Sequence, residues 1–132
     1  MVDQRFPREA RVLRRPEFDA VFGEGRSRAD DAIIVYARPR PGGGGPRLGL
    51  VVGRKFGNAV FRNAWKRRFR EAFRRRRGDL PDAHDFVVLP RGPGITPSAA
   101  EAEQHLVKLA RDAAKFYAKR GAKRGAKERR AR

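Results

Sequence analysis

Between Gly53 and Arg77 the chain reads GRKFGNAVFRNAWKRRFREAFRRRR, and this segment limits the possible folds more than any other. It carries eleven Lys or Arg and one acid, Glu71, yet Phe56, Val60, Phe61, Trp65, Phe69 and Phe73 run through it. At 100° per residue, Phe61, Trp65, Phe69, Ala72 and Phe73 fall within a sector of about 120°. Arg62, Asn63, Lys66, Arg67, Arg70 and Arg74 fill the adjoining flank. The spacing predicts a helix that begins near Ala59, after a Gly57–Asn58 turn, and stops at Gly78. Its aromatic stripe docks on other elements, and docking holds a row of cations in fixed positions.

What it docks on is readable from the rest of the 132 residues, a length that suits one domain. Pro16 to Phe22 reads as a short helix, with Phe18, Val21 and Phe22 on one face and Gly23 and Gly25 as stops. Ala32 to Arg38 and Arg47 to Gly53 are β-branched or aliphatic and read as strands. PRPGGGGP, residues 39–46, lies between them as a flexible loop, which suggests an antiparallel pair. Asp85 to Leu89 is a further, buried strand. The last helix runs from Pro97 to about Lys119, opened by Thr96-Pro97 or by a Ser98–Glu101 capping box. Leu106, Leu109, Ala110, Ala113, Phe116 and Tyr117 form its apolar side. The expected order is α-β-β-(β)-α-β-α, with a third early strand possible at Leu48 to Val52. The strand–helix–strand unit around residues 48–89 implies one parallel pairing, with a right-handed crossover on general grounds. Residues 1–14 read as loosely ordered. The AKRG-repeating tail, 119–132, reads as disordered when unbound, leaving one domain over 1–118.

The net charge of +18 is unevenly placed: +3 over residues 1–53, +10 over 54–77, −2 over 78–118 and +7 over 119–132. Such a distribution calls for a polyanion, nucleic acid before an anionic membrane surface. Like charges at i, i+4 in the row Arg62, Lys66, Arg70, Arg74 destabilise a solvated helix, and phosphates would neutralise them. No apolar run approaches the roughly 20 residues of a membrane span, and residues 1–18 lack the apolar core of a secretory signal. With no Cys there are no disulfides or thiolate ligands, which fits a cytoplasmic setting. No catalytic side-chain constellation is found. His84 reads as a loop residue, His105 as a surface or boundary residue, and neither has partners at metal spacing. Asn63 could bond a phosphate, a 2′-hydroxyl or a metal-bound water, or simply be a surface residue. Phe18, Phe22 and Tyr36 could be core, or could stack unpaired bases. From the residues alone, a structural RNA-binding protein and a side-chain nuclease stay open beside a nucleic-acid-binding cofactor.

Gly57 to Phe73, GNAVFRNAWKRRFREAF, resembles the signature of the bacterial ribonuclease P protein family: GNAV or GKAV, an apolar residue, Arg-Asn-Arg, an apolar residue, Lys-Arg and later Arg-Glu. LRRPEFDAVFGEGRS (13–27), GLVVGRK (49–55) and DFVVLPR (85–91) extend the likeness across about residues 11–92. It implies an α+β fold, an α/β sandwich like a ribosomal-protein domain. That fold has a small mixed sheet of about four strands, three helices and a left-handed βαβ crossover, which replaces the right-handed expectation. It implies a subunit of a cytoplasmic ribonucleoprotein in which the RNA, with Mg2+, removes the 5′ leader of precursor tRNA. The partners implied are the catalytic RNA and precursor tRNA, with no DNA, membrane or obligate protein partner. No catalytic residue is implied on the protein. Arg54, Lys55, Asn58, Arg62, Asn63, Lys66, Arg67, Arg70 and Arg74 would face RNA. Phe18, Phe22 and Tyr36 would line the leader cleft. Magnesium would be held mainly by RNA, with Asn63 reaching it through a metal-bound water. Ala64 stands where the pattern has its second Arg. On the wheel it points away from both the stripe and the row, so losing that cation should be tolerated, and no contact is carried over to it.

Overall fold

The computed structural model describes residue 11, residues 15–40, 42–91 and the backbone of 96–131, with side chains as far as Lys115. Its elements are α1 (Arg15–Glu24), β1 (Arg26–Ala29), β2 (Ile33–Pro39), β3 (Arg47–Leu50), α2 (Ala59–Arg76), β4 (His84–Pro90) and α3 (Ala99–Ala131). The expectations for residues 1–10, 12–14 and 92–95, and for the side chains of Phe116, Tyr117 and the tail, lie outside what is described.

The four strands form one mixed sheet in the order β1-β2-β4-β3. β2 and β3 are therefore not the antiparallel pair expected from their adjacency in sequence. β4 lies between them, antiparallel to β2 with Tyr36 opposite Val87, and parallel to β3 with Gly49 opposite Val87. The reason is burial. Phe86, Val87 and Val88 are all fully buried, so β4 has apolar partners on both faces and belongs inside the sheet. The parallel pairing around α2 is as expected. The extra early strand is β1, not a division of the Leu48 region. Its RSRA has no apolar alternation, and it forms as an edge strand on β2.

One face of the sheet, with Ile33, Val35, Ala37, Leu48, Phe86 and Val88, packs on α2 and α3 in a single core. The other face carries α1, whose buried Val21 and partly exposed Phe22 lie on the side of Tyr36. Gly25 is required where α1 ends. Its amide donates to the Val21 carbonyl at 2.7 Å, and a Cβ there would lie 2.2 Å from that same oxygen. The capping box opens α3: the Glu101 amide donates to Ser98 Oγ at 3.1 Å, and the Ser98 amide donates back to Glu101 Oε1. The helix thus starts at Ala99, not Pro97. Its backbone also runs on to Ala131, past the expected end near Lys119, because Ala, Lys and Arg propagate a helix already formed.

Ions fix what the apolar layers leave loose. Asp85 is buried and receives Arg47 in a bidentate pair, Nε to Oδ1 at 2.7 Å and Nη2 to Oδ2 at 2.8 Å. Arg47 also reaches Glu17 of α1 at 2.6 Å, and Arg38 reaches Glu24 of α1 at 2.6 Å. α1 is thereby pinned to the sheet at both ends. Residues 39–46 are not the free loop expected. Arg40 folds over them, donating to the carbonyls of Gly43 and Gly45 and to Asp85. Opposite, Asp30 caps the β1–β2 turn through the amides of Ala32 and Ile33 and pairs with His105 of α3. Burial would raise the Asp30 carboxyl, but these amides and the imidazole outweigh it and hold the group below its ordinary value. His84 opens β4 and is not a loop residue. Its Nδ1 is 2.7 Å from the Asp82 carbonyl and its ring stacks on Phe86.

Asp85→Asn is expected to lower unfolding free energy in urea by about 2–3 kcal/mol, at or just below the range for breaking a buried ion pair. The loss stays at that end because the Arg47 side chain is 21% exposed and keeps Glu17.

Candidate nucleic-acid interface

α2 is built from its stripe. Trp65, Phe69, Ala72 and Phe73 are buried, and the Trp65 and Phe69 rings lie 4.4 Å apart. Its start is set by Gly57 and Asn58. Gly57 has φ +153°, and a Cβ there would lie 2.6 Å from the Phe61 ring. Asn58 is the N-cap, its Oδ1 accepting from the Phe61 amide at 2.9 Å. Asn58, expected in the turn before the helix and as an RNA contact, is thus the residue that caps the helix start, a local structural task.

On the open side of α2, Asn63, Ala64, Arg67 and Arg70 are exposed, while Arg62, Lys66 and Arg68 are half-buried. Arg54 and Lys55, in a 3-10 turn just before the helix, are exposed, and the Lys55 ammonium lies 5.1 Å from the centre of the Phe56 ring. Among the described residues, Arg54, Lys55, Arg62, Lys66, Arg67 and Arg70 form no ion pair. The buried Arg62 Nε has no hydrogen-bond partner there either. Arg74 stands apart from the row in which the sequence placed it, because it is paired with Glu71 at 2.7 Å. That pairing holds the Glu71 carboxyl below its usual value, with Arg75 adding to the effect.

The three aromatics fall on the α1 side of the sheet. Phe22 and Tyr36 meet edge-to-face, ring centres 5.1 Å apart, and Phe18 sits one turn earlier on α1. Phe22 is 38% exposed, and Phe18 and Tyr36 are half-buried, so none is a closed core residue. The sequence did not reveal the Glu17–Arg47 and Glu24–Arg38 pairs that set how α1 lies over Tyr36. Their partners are 30 and 14 residues apart, and no local pattern links them. No group of three or more His, Cys, Asp or Glu among the described residues could hold a metal ion.

A small α+β domain with a docked basic helix, most of whose early cations have no ion pair among the described residues, and with half-exposed aromatics beside the sheet fits the class of RNA-binding proteins. Comparison with known proteins makes the class specific. The Ribonuclease P family model matches residues 6–114. The ribonuclease P protein component of Shouchella clausii is 38% identical over 116 residues, covering 86% of this chain and 95% of that protein. The one from Thermotoga maritima is 43% identical over 88 residues, covering 67% of this chain and 74% of that protein. The solved Thermotoga maritima ribonuclease P protein superposes with a TM-score of 0.68 at 35% identity, covering 76% and 94% of the two chains. The Staphylococcus aureus ribonuclease P protein gives 0.69 at 29% identity, covering 79% and 94%. The chain belongs to the ribonuclease P protein family, the protein component of that endoribonuclease.

Asn58→Ala is expected to cost about 1 kcal/mol of stability, and Asn58→Ser much less, because Ser restores the cap. Urea melts of the two variants without RNA separate the capping task from any RNA contact.

Proposed function

We propose that this chain is the subunit that binds the ribonuclease P catalytic RNA and the 5′ leader of precursor tRNA, and that it assists endonucleolytic removal of the leader in the cytoplasm. The observation that carries the reading is the row on α2 and its approach. Arg54, Lys55, Arg62, Lys66, Arg67 and Arg70 are held by a buried stripe and lack internal counter-ions among the described residues. An unpaired buried donor such as Arg62 Nε costs about 1–3 kcal/mol, and an RNA phosphate can relieve it once the side chain turns outward. Asn63 and the amide nitrogen of Asn58 add neutral hydrogen-bonding groups beside the cations. Phe18, Phe22 and Tyr36 offer ring faces and edges to the single-stranded leader. The RNA performs the hydrolysis. Magnesium, held mainly by that RNA, supplies charge neutralisation and water activation at the scissile phosphate. The protein's cations lower the ion concentration needed to bring RNA and substrate together, and Asn63 can meet a magnesium-bound water.

The decisive experiment is a cleavage assay at low magnesium with protein alone, ribonuclease P RNA alone, and both together, each given leader-bearing precursor tRNA. The mixture alone should cut efficiently at the mature 5′ end. A mixture no better than the RNA would overturn the assignment. Arg62→Ala should reduce cleavage about tenfold or more at low magnesium, the scale of one hydrogen bond to a charged group, and much less at high magnesium. Equal loss at both concentrations would count against the magnesium-linked role. Phe22→Ala should weaken binding of leader-bearing tRNA by about 1–3 kcal/mol and spare mature tRNA. Equal weakening of both substrates would remove the cleft from the leader's path.

A further inference from the structure

We propose that the RNA-contacting surface of α2 ends at Arg70, and that Glu71 ends it by serving as an internal counter-ion for Arg74 and Arg75. The inference rests on the RNA-binding reading above and specifies where along the helix that binding stops.

Two observations carry it. The first is charge order along the chain. Residues 62–70 hold five cations and no acid, whereas residues 71–79 hold four cations and two acids. The second is geometry. Arg74 meets Glu71 through two nitrogens, Nη2 to Oε2 at 2.7 Å and Nε to Oε1 at 3.3 Å, the fork-to-fork form that fixes the pair's geometry. Arg75 lies 3.8 Å from the same carboxylate. At the last residue of the helix, Arg76 is matched by Asp79 at 2.6 Å, and the Asp79 carbonyl accepts from Arg111 Nε of α3 at 3.0 Å. The end of α2 is therefore partly neutralised within the protein and tied to its own scaffold, while the cations of its first three turns have no ion pair among the described residues.

The chemistry of the two halves differs accordingly. A phosphate nearing Arg62, Lys66, Arg67 or Arg70 meets cations alone, along a rise of about 12 Å. One nearing Arg74 meets a carboxylate first. A helix cationic over its whole length would hold a polyanion equally well in several registers. An acid at the boundary penalises the shifted ones, so Glu71 acts as a positioning residue for the RNA.

The test is the salt dependence of affinity of the full chain for a bacterial ribonuclease P RNA transcript, compared among the wild type, R70A, R74A, E71Q and E71Q/R74A. Thermal melts verify that each variant folds. Arg70→Ala should flatten the log–log slope by roughly 0.7–0.9, one phosphate contact, and Arg74→Ala should leave it as it was. Glu71→Gln should steepen the slope by about the same amount for each arginine it frees, and adding Arg74→Ala should take back part of the gain. The boundary is disproved if Arg74→Ala flattens the slope as much as Arg70→Ala, or if Glu71→Gln leaves it unchanged. If Arg70→Ala also has no effect, α2 is not the RNA surface, and the boundary falls together with the reading it rests on.

Discussion

Burial of Trp65, Phe69 and Phe73 between the sheet and α3 is the interaction on which the rest of this molecule depends. Each ring shut away from water contributes about 2–3 kcal/mol, enough together to outweigh the repulsion within a row of like charges. The stripe also fixes rotation. Because the aromatics face inward with Phe86, Val88 and Leu106, the cations one step around the helix must face outward at set heights. A loosened stripe would leave the same charges on the chain but no longer in an array.

Acids and bases divide the work in a consistent way. Asp85 ties β4 to β3 through Arg47, Glu17 and Glu24 seat α1 on the sheet, Asp30 joins the β1–β2 turn to α3, and Glu71 and Asp79 quiet the end of α2. The carboxylates named are nearly all turned inward on the protein's own arginines or histidine. What remains toward solvent on the first turns of α2 is therefore positive, and the field an RNA meets is set as much by where the acids went as by where the bases are.

Legibility in the sequence followed the range of the interactions. α2, its Asn58 boundary, the Ser98–Glu101 box and the buried DFVVL strand were readable because helix period, caps and apolar runs are local signals. The pairing of Arg74 with Glu71 was also within reach, since i, i+3 spacing announces it, but the uniform run of arginines drew attention to the row instead. β1 was missed because an edge strand with little buried surface can be as polar as RSRA. The place of β4 between β2 and β3 was missed because chain order was preferred to burial, although three consecutive fully apolar residues already argued for the centre of the sheet. Nothing near Asp85 foretold Arg47 or Arg40, which approach it from 38 and 45 residues away. The three aromatics were legible as residues, but the Phe22–Tyr36 contact was not, because it exists only once α1 is laid across Tyr36.

Among the described residues β1 has a strand neighbour on one side only, whereas the outer side of β3 is met by the backbone of Arg11. A bare strand edge is a template on which a second chain can add, the usual first step toward aggregation. Here that edge reads Arg-Ser-Arg-Ala on a molecule of net charge +18. Two copies approaching edge to edge would bring two strongly cationic molecules together. The charge suited to a polyanion thus also opposes the close approach of two copies through this edge.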